Sequence, residues 1–509
     1  MTDEGDDRRA EMSCTKGKNR TEDARVPMGL IAKRAAAEFL RLGLFVSLGI
    51  GLTGCLDLPV PAADRQQLLS ADLASDRKAE RRTPARRRLA VLVKTPEQKE
   101  PDKATGPFSL EKLEALARQH NPTLMQAVAL VEGEEGKAIQ AGLWPNPILG
   151  YNGHNIGVQG TAGEMQAGFI QQKIMTGGKL RLSREKYLAR VSAAEFQALS
   201  QIYSVINGVR VHYYTARGAQ QRLQIQQELL KVAEDNLVTV QEKANVGQAN
   251  RADLHQANVV LQDHQLAVQM AGNQLRMQWE RLVTAVGKPL PPGFLEGELE
   301  GDLTPLQFDE ALERILDESP QLAQAEALLK SDQIKVQREL VEPIPNITVR
   351  GDVGRNYEAS QTVGNFFAFI EVPVFDWNQG TVLQAKADMR RQQHQVELLE
   401  LQLRRTLADQ FQIYLTALQH VRAYQTVILP QSEARYATQL KSYHEDRLPW
   451  HDVLQAQRDF YDRRLLYIDH LVAWRTAKVA IEGLLLVDGL IPPPGVTPPG
   501  HIDATPKPR

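Results

Sequence analysis

The chain has 509 residues, a formal net charge of -2 and 42% hydrophobic residues, which excludes a disordered chain and leaves apolar material for a large core or several modules. A nearly neutral charge argues against a dedicated nucleic-acid-binding protein. Aromatic residues make up only 6%, and stretches rich in Ala, Gln, Leu, Glu and Arg dominate, as in long solvated helices. The composition therefore predicts a mainly helical protein.

The first residues are an unusual preface to an export signal. Residues 1–27 are polar and charged, whereas signal peptides begin close to their basic region. We therefore expect translation to start at Met28. A genuine N-terminal extension, disordered in solution, is the alternative.

Residues 28–54 have the order of a secretory signal, with basic residues ahead of an apolar run. The run is much shorter than the roughly 20 residues of a transmembrane helix, and it leads into Leu52-Thr53-Gly54-Cys55. This ending resembles a bacterial lipobox, which implies cleavage before Cys55, lipidation of Cys55, and passage to the outer membrane because Leu56 follows. With Cys14 as the only other cysteine, one chain lacks the material for a disulfide framework or a thiolate metal site.

Residues 55–107 form the predicted lipid anchor and linker, which contains proline and a basic run. The basic residues are Arg77, Lys78, Arg81, Arg82, Arg86, Arg87 and Arg88. We interpret this run as a solvated tether or as a contact with anionic lipid head groups.

The segment from Phe108 to about Leu290 recurs from Phe308 to about Gly489, an offset of about 200 residues. Four pairs of landmarks follow in the same order in both segments. They are His120-Asn121-Pro122 with Glu318-Ser319-Pro320, Pro145-Asn146 with Pro345-Asn346, Phe169-Ile170 with Phe369-Ile370, and Ala252-Asp253-Leu254 with His451-Asp452-Val453. The sequence therefore predicts two tandem structural repeats, which we place at 108–300 and 301–490.

Each copy begins with a predicted amphipathic helix, from Leu110 to about Gly142 in the first copy. A proline-marked turn ends it, at Pro145 and Pro345, because proline removes a donor and disfavours helix before it. Two extended segments of about ten residues follow, the length of a tilted transmembrane β-strand. The alternation of apolar and polar residues is clear in the second copy, whereas glycines dilute it in the first.

A long helix follows the strands in each copy, from about Lys179 to Lys243 and from about Gly380 to Ser442. At 1.5 Å per residue such a helix is roughly 100 Å long, enough to span a compartment. Turns around 246–249 and 447–449 lead into return helices near Asp253 and Asp452. The narrow apolar stripes are typical of helices packed into a hollow coiled assembly. An ordinary antiparallel coiled coil is the alternative, but it explains neither the four β-like segments nor the export signal.

Four strands are too few to close a barrel, and an open sheet edge in lipid leaves backbone groups unsatisfied at several kcal/mol each. Closure must therefore come from other chains. Two chains would supply eight strands and three would supply twelve, and both are allowed barrel sizes. The sequence thus predicts an oligomer without fixing its number.

The paired repeats, Asn121-Pro122 near the start, Pro345-Asn346 before strands and Val372-Pro373-Val374-Phe375-Asp376 ahead of a long helix resemble the TolC-like outer membrane efflux protein family. The resemblance covers about Phe108 to Gly489. Gln172-Lys173-Ile174-Met175-Thr176-Gly177-Gly178-Lys179 resembles its heavy-metal-efflux branch in particular. The fold implied is mainly α with a small β part: a trimeric α-helical barrel continuous with a shared twelve-stranded transmembrane β-barrel.

The resemblance also implies partners, location and function. It implies a homotrimer, lipid-anchored in the outer membrane with the helical barrel in the periplasm, that docks onto a periplasmic membrane fusion (adaptor) protein and an inner-membrane RND-type pump. The expected function is export of small molecules or metal cations through the outer-membrane channel of a tripartite efflux system. The alternatives are a TolC-like duct for protein or polysaccharide secretion, and a periplasmic coiled-coil scaffold without a channel.

The family resemblance implies a periplasmic gate at the tips of the long helices. Asp253 falls on the family's gate-aspartate position, and Asp452 is its partner in the second copy. Tyr443 matches a gate tyrosine, whereas Arg447 lies one position away from the gate arginine. Threefold symmetry would make each aspartate a ring of negative charge that concentrates cations. Capping of a helix N-terminus is the alternative role, and the two roles are compatible.

Two further interpretations concern chemistry. His444, Glu445, Asp446, His451 and Asp452 include zinc and copper ligand types, but only one copy has this cluster and a duct should avoid tight binding, so we expect a solvated tip without metal. No nucleotide-binding loop, zinc-protease helix or Gly-x-Ser-x-Gly elbow occurs, so we expect neither an enzyme nor a cofactor. The Pro-rich segment 491–509 is predicted to be disordered.

Overall fold

The computed structural model describes residues 107–156, 164–247, 250–445 and 447–496. The predicted signal, Cys55, the linker and its basic run lie outside the described residues. Among the described helices, none is both long enough and apolar enough to span a membrane.

The order of elements repeats along the chain, which confirms the predicted tandem copies. The first copy contains α1 (Leu110–His120), α2 (Pro122–Gly142), β1 (Ile148–His154), β2 (Met165–Ile174), α3 (Lys179–Asn245) and α4 (Arg251–Val286). The second contains α5 (Phe308–Glu318), α6 (Pro320–Leu340), β3 (Ile347–Asn356), β4 (Gln361–Ile370), α7 (Gln379–Ala423), a π-helical turn (Tyr424–Ile428), α8 (Leu429–His444) and α9 (Trp450–Glu482).

The four strands form one antiparallel sheet in the order β1-β2-β3-β4. β2 of the first copy pairs with β3 of the second from Met165↔Asn356 to Ile174↔Ile347. The strands that glycine had made ambiguous in the first copy are therefore present and aligned with those of the second. Among the described residues, β1 and β4 each pair on one side only.

The two faces of the sheet differ in character. Because side chains alternate along a strand, the register assigns each residue to one face. One face carries apolar side chains that are exposed in the single chain: Leu149, Tyr151, Ile170, Val353, Phe366 and Ile370. The opposite face carries most of the polar side chains of the strands, together with the exposed Ile148, Phe367 and Phe369.

The first predicted helix, from Leu110 to Gly142, is wrong as a single helix, because it is broken at Asn121. Pro122 disfavours helical geometry at the residue before it, and Asn121 has extended φ and ψ angles. Its side-chain oxygen accepts from the Thr123 N–H at 3.0 Å, and its Nδ2 donates to the Ala285 carbonyl at 2.8 Å. The break thus caps α2 and joins it to the end of α4.

The long helices are present as predicted, and α3 alone has 67 residues. The second one, predicted from Gly380 to Ser442, contains a π-helical turn between α7 and α8. Pro430 follows this turn and has no N–H to donate to the carbonyl four residues earlier, at Thr426. A wider turn accommodates the missing bond, as in other π-bulges.

Each copy has its own hydrophobic cluster next to its first helices. In the first copy Phe108 meets Trp279 edge-on, with ring centroids 5.4 Å apart, and Leu113 and Leu282 are fully buried beside them. In the second copy Phe308 meets Phe411 in the same way at 5.3 Å. Both clusters contain an edge-on aromatic pair, but the partner lies on the return helix α4 in the first copy and on the long helix α7 in the second.

The segment from Gln172 to Lys179 connects β2 to α3, and its conformation and contacts account for its two glycines and its lysine. Gly177 and Gly178 both have positive φ angles, which glycine adopts without strain. The buried Lys179 ammonium then donates to the Ile344 carbonyl at 2.6 Å and to Asn346 Oδ1 at 3.2 Å. A cation of the first copy thus satisfies the proline-marked turn of the second.

The prediction of a disordered tail from residue 491 is wrong for its first residues. Val496 is buried against Ala193 and Ala194 of α3, and the Pro494 carbonyl accepts from Gln197 Nε2 at 2.6 Å. An alanine-lined helix face and a buried amide donor give this segment a place to pack. Residues 497–509 lie outside the described residues.

The cap at Asn121 yields a test with a matched control in the other copy. We expect Asn121→Ala to lower the free energy of unfolding by about 2 kcal/mol, because it removes the cap and leaves the Ala285 carbonyl buried without its donor. Ser319 occupies the equivalent position, but its buried Oγ has no partner among the described residues. Denaturant unfolding followed by circular dichroism should therefore rank Ser319→Ala close to the parent. Equal losses in both variants would contradict this account.

Candidate gate at the helical tips

The tips of the long helices lie at the end of the molecule furthest from the sheet. α3 and α7 each begin next to the strands, so the turns that follow Asn245 and His444 are separated from the sheet by the full length of these helices. The predicted gate residues all lie at these two turns. The structure therefore brings them to one end, as predicted.

Asp253 forms part of a capping box at the start of α4. Its carboxylate accepts from the Asn250 N–H at 2.9 Å, and Asn250 Oδ1 accepts from the Asp253 N–H at 2.9 Å. This reciprocal pair satisfies two backbone donors of the helix start. Asp253 remains exposed, so the cap leaves its charge available to the solvent.

Asp452 occupies the first turn of α9 in a different setting. The N-cap is Pro449, which makes no side-chain cap bond, and the Asp452 N–H donates to the Pro449 carbonyl at 3.2 Å. The half-buried carboxylate lies at the positive end of the helix dipole. The two aspartates thus occupy equivalent positions with unequal local partners.

Tyr443 lies in a contact that joins the two copies. Its ring packs against Trp450, with centroids 4.7 Å apart. The Lys243 ammonium lies 4.6 Å from the Tyr443 ring centroid and hydrogen-bonds to its hydroxyl. Lys243 belongs to the last turns of α3, so the second tip is fastened to the long helix of the first copy.

Trp450 makes the second half of this contact. Its indole N–H donates to Asn236 Oδ1, and Asn236 is buried within α3. We call Asn236, Lys243, Tyr443 and Trp450 the tip cluster. Sequence reasoning missed three of its members, although the seven-residue spacing of Asn236 and Lys243 places both on one face of α3.

Arg447, which lies one position away from the family's gate arginine, forms an ion pair with Glu445, with 3.2 Å between Nη1 and Oε2. Both side chains are exposed, so this ion pair contributes little to stability. Within the described residues no group of three or more His, Cys, Asp or Glu is arranged to hold a metal ion. The side chain of His444 and all of Asp446 lie outside the described residues, so the expectation of a metal-free tip stays a prediction.

The chain is similar to known proteins. The model of the outer membrane efflux protein family matches residues 113–288. The chain is 26% identical over 398 residues to the cobalt-zinc-cadmium resistance protein CzcC of Cupriavidus metallidurans, which covers 76% of this chain and 91% of the relative.

A second relative and a solved structure also match the chain. The probable outer membrane lipoprotein SilC of Salmonella typhimurium is 23% identical over 343 residues, 63% of this chain and 71% of the relative. Crystal structures of CusC match with a TM-score of 0.62 and 17% identity, over 77% of this chain and 96% of that one. The structural likeness confirms the predicted fold.

The tip cluster yields a test of local stability. We expect Trp450→Phe to speed amide hydrogen exchange at the start of α9 by about tenfold, because it leaves the buried Asn236 oxygen without its donor at a cost of about 1–2 kcal/mol. Arg447→Gln is the matched control at the same turn and should leave exchange unchanged. Hydrogen exchange with mass spectrometry measures both. Parental exchange in Trp450→Phe would show that the bond to Asn236 does not hold this tip.

Proposed function

We propose that this chain, which belongs to the outer membrane efflux protein family, is the outer-membrane channel of a tripartite efflux system. It exports small molecules or metal cations from the periplasm or a pump to the cell exterior, and it acts as a channel and not as an enzyme.

The open sheet is the observation that carries this proposal. One face of the sheet is apolar and exposed in the single chain, as for a surface that contacts lipid. Its edge strands β1 and β4 each lack a neighbour among the described residues, and unpaired backbone groups are costly in hydrocarbon. Three chains would join β1 to β4 and close a barrel of twelve strands.

Large side chains at the junction of sheet and helices fit the edge of a membrane. Trp144, Phe375 and Trp377 are exposed there, and aromatic residues favour the level of the lipid head groups. Further along, α7 exposes Leu383, Leu398 and Leu401. Packing against a neighbouring chain in a homotrimer would bury such residues.

The proposed partners and cargo are those expected of an outer-membrane channel. A duct that has no energy source of its own needs an energised inner-membrane pump, and the family resemblance supports a pump of the RND type that is reached through a periplasmic adaptor protein. The relative CzcC is named for cobalt, zinc and cadmium resistance, which supports divalent metal cations as the cargo. Carboxylates at both tips would concentrate such cations at the periplasmic entrance.

The gate proposed here consists of Asp253 and Asp452 with Tyr443 and Arg447. The capping box at Asp253 and the tip cluster at Tyr443 hold the ends of the return helices in place. In a trimer, the aspartates would form two rings of negative charge at the narrow end. Opening would then require the contacts between the tip cluster and α3 to loosen.

Single-channel conductance of the trimer tests the proposed function. We expect small, cation-selective currents from the parent and severalfold larger currents from Asp253→Ala plus Asp452→Ala, because removal of both carboxylate rings weakens the constriction. The matched control is Asp263→Ala plus Asp462→Ala, which removes the same charge from exposed positions ten residues further along the same helices.

The outcomes separate the channel from its gate. Larger currents only in the tip variant support both. Parental currents in the tip variant would remove the aspartates from the gate while leaving the channel in place. A verified trimer that conducts in no variant would overturn the channel and favour the scaffold.

We also propose that Cys55 carries the lipid anchor. Cys55→Ser should abolish incorporation of radiolabelled palmitate, because acylation of a lipoprotein begins at the cysteine sulfur. Cys14→Ser is the matched control and should label like the parent, since Cys14 lies ahead of the predicted cleavage site. Full labelling of Cys55→Ser would contradict the anchor.

A further inference from the structure

A pair of opposite charges lies in the middle of strand β3. Arg350 and Asp352 are two residues apart, so both side chains stand on the same face of the sheet. That face is opposite to the one that carries Leu149, Val353 and Phe366. If the apolar face contacts lipid, the pair faces the interior of the barrel.

The pair has a fixed geometry. Arg350 Nε donates to Asp352 Oδ1 at 2.7 Å, and Nη2 donates to Oδ2 at 3.2 Å. Such a two-point contact restricts the guanidinium more than a single bond does. The Asp352 side chain is only 1% exposed, whereas that of Arg350 is 21% exposed. The cation therefore covers the anion.

Aromatic rings hold the guanidinium from both sides. Its central carbon lies 3.9 Å from the ring centroid of Phe169 on β2 and 5.9 Å from that of Phe367 on β4. Gly150 on β1 pairs with Phe169, and a Cβ at position 150 would lie 2.4 Å from the Phe169 ring. The glycine that diluted the strand pattern thus makes room for the ring that supports Arg350.

The first strand supplies the remaining polar neighbours. The Asn152 side chain lies within hydrogen-bonding reach of the Asp352 carboxylate, and its Nδ2 lies 3.0 Å from His154 Nε2. All four strands therefore contribute to one arrangement around a single ion pair. Contact of the apolar face with lipid does not explain why the sheet contains this ion pair.

Charged groups at membrane depth are costly, and where they occur they mark water-filled pathways. In a threefold barrel the Arg350–Asp352 pair occurs three times, and the three pairs lie at the same depth in the membrane. Ions in the lumen then meet groups whose charges cancel, and lumen-facing residues tune selectivity in such barrels.

We propose that the Arg350–Asp352 pair is a selectivity-determining element of the barrel, which keeps this section of the pore neutral so that exported divalent cations pass without being retained. This inference rests on the proposed function. It assigns to Arg350 the role of masking a carboxylate ring that would otherwise bind the cargo, since carboxylate oxygens are ligands for divalent metals.

Two single variants with opposite expected effects test this proposal. Arg350→Gln uncovers three carboxylates, so the reversal potential in a salt gradient should shift toward greater cation selectivity, and Zn²⁺ should block the current at about tenfold lower concentration. Asp352→Asn leaves three uncompensated guanidinium groups, so the reversal potential should shift the other way. The double variant restores neutrality and should return to the parental selectivity.

A binding measurement keeps this test independent of conduction. Calorimetric titration of the detergent-extracted trimer with Zn²⁺ should show a site in Arg350→Gln that the parent and the double variant lack. Singles that shift selectivity in the same direction, or Arg350→Gln trimers that gain no Zn²⁺ affinity, would overturn the masking role. A trimer that never conducts but gains the Zn²⁺ site would overturn the proposed function and, with it, the role in selectivity, and would leave only the masking of Asp352 by Arg350 supported.

Discussion

The backbone groups at the two edges of the sheet impose the condition that the rest of the architecture must meet. Each edge strand offers a row of N–H and C=O groups, and hydrocarbon provides no partners for them. Pairing β1 of one chain with β4 of the next satisfies both rows at once, because each of these strands already has its other side occupied. That closure also orders the helices, since α2 and α6 lead into the strands while α3 and α7 lead away from them. Closing the sheet in this way would therefore also bring the helices of neighbouring chains together beneath it.

The two copies are fused in space although they are consecutive in sequence. β2 and β3 pair over their whole length, so the central seam of the sheet lies between the copies. Lys179 of the first copy satisfies the turn at Ile344 of the second, whereas the second junction uses Asn378, whose side chain donates to the Glu339 carbonyl and carboxylate. The first junction thus links the two copies, whereas the second links residues of the second copy alone. Divergence of this kind fits positions that are adjacent in one chain and inequivalent under threefold symmetry.

Periodicity and repetition were sufficient to predict the element order, the long helices and the β-strands, because these depend on patterns many residues long. Local features were harder. The break at Asn121 depends on one proline and one side-chain amide, and the same Asn-Pro was visible only as a landmark of the repeat and of the family resemblance. The tip residues were placed at the right end by motif, but their partners were not, since Lys243 and Tyr443 are 200 residues apart. The burial of Val496 depends on alanines in a distant helix, and no local pattern in the tail indicates it.

The two tips differ in what a movement would break. At the first tip the Asn250 and Asp253 bonds connect residues three apart, so the turn and the start of α4 can move together without losing them. At the second tip Tyr443 and Trp450 contact residues of α3, so a displacement of this hairpin away from α3 must break them. The free energy that opposes movement is therefore concentrated at the second tip. In the proposed trimer each of the three chains would contribute one such contact. A partner that engages the hairpins of α8 and α9 would therefore act where these contacts must break for the proposed gate to open.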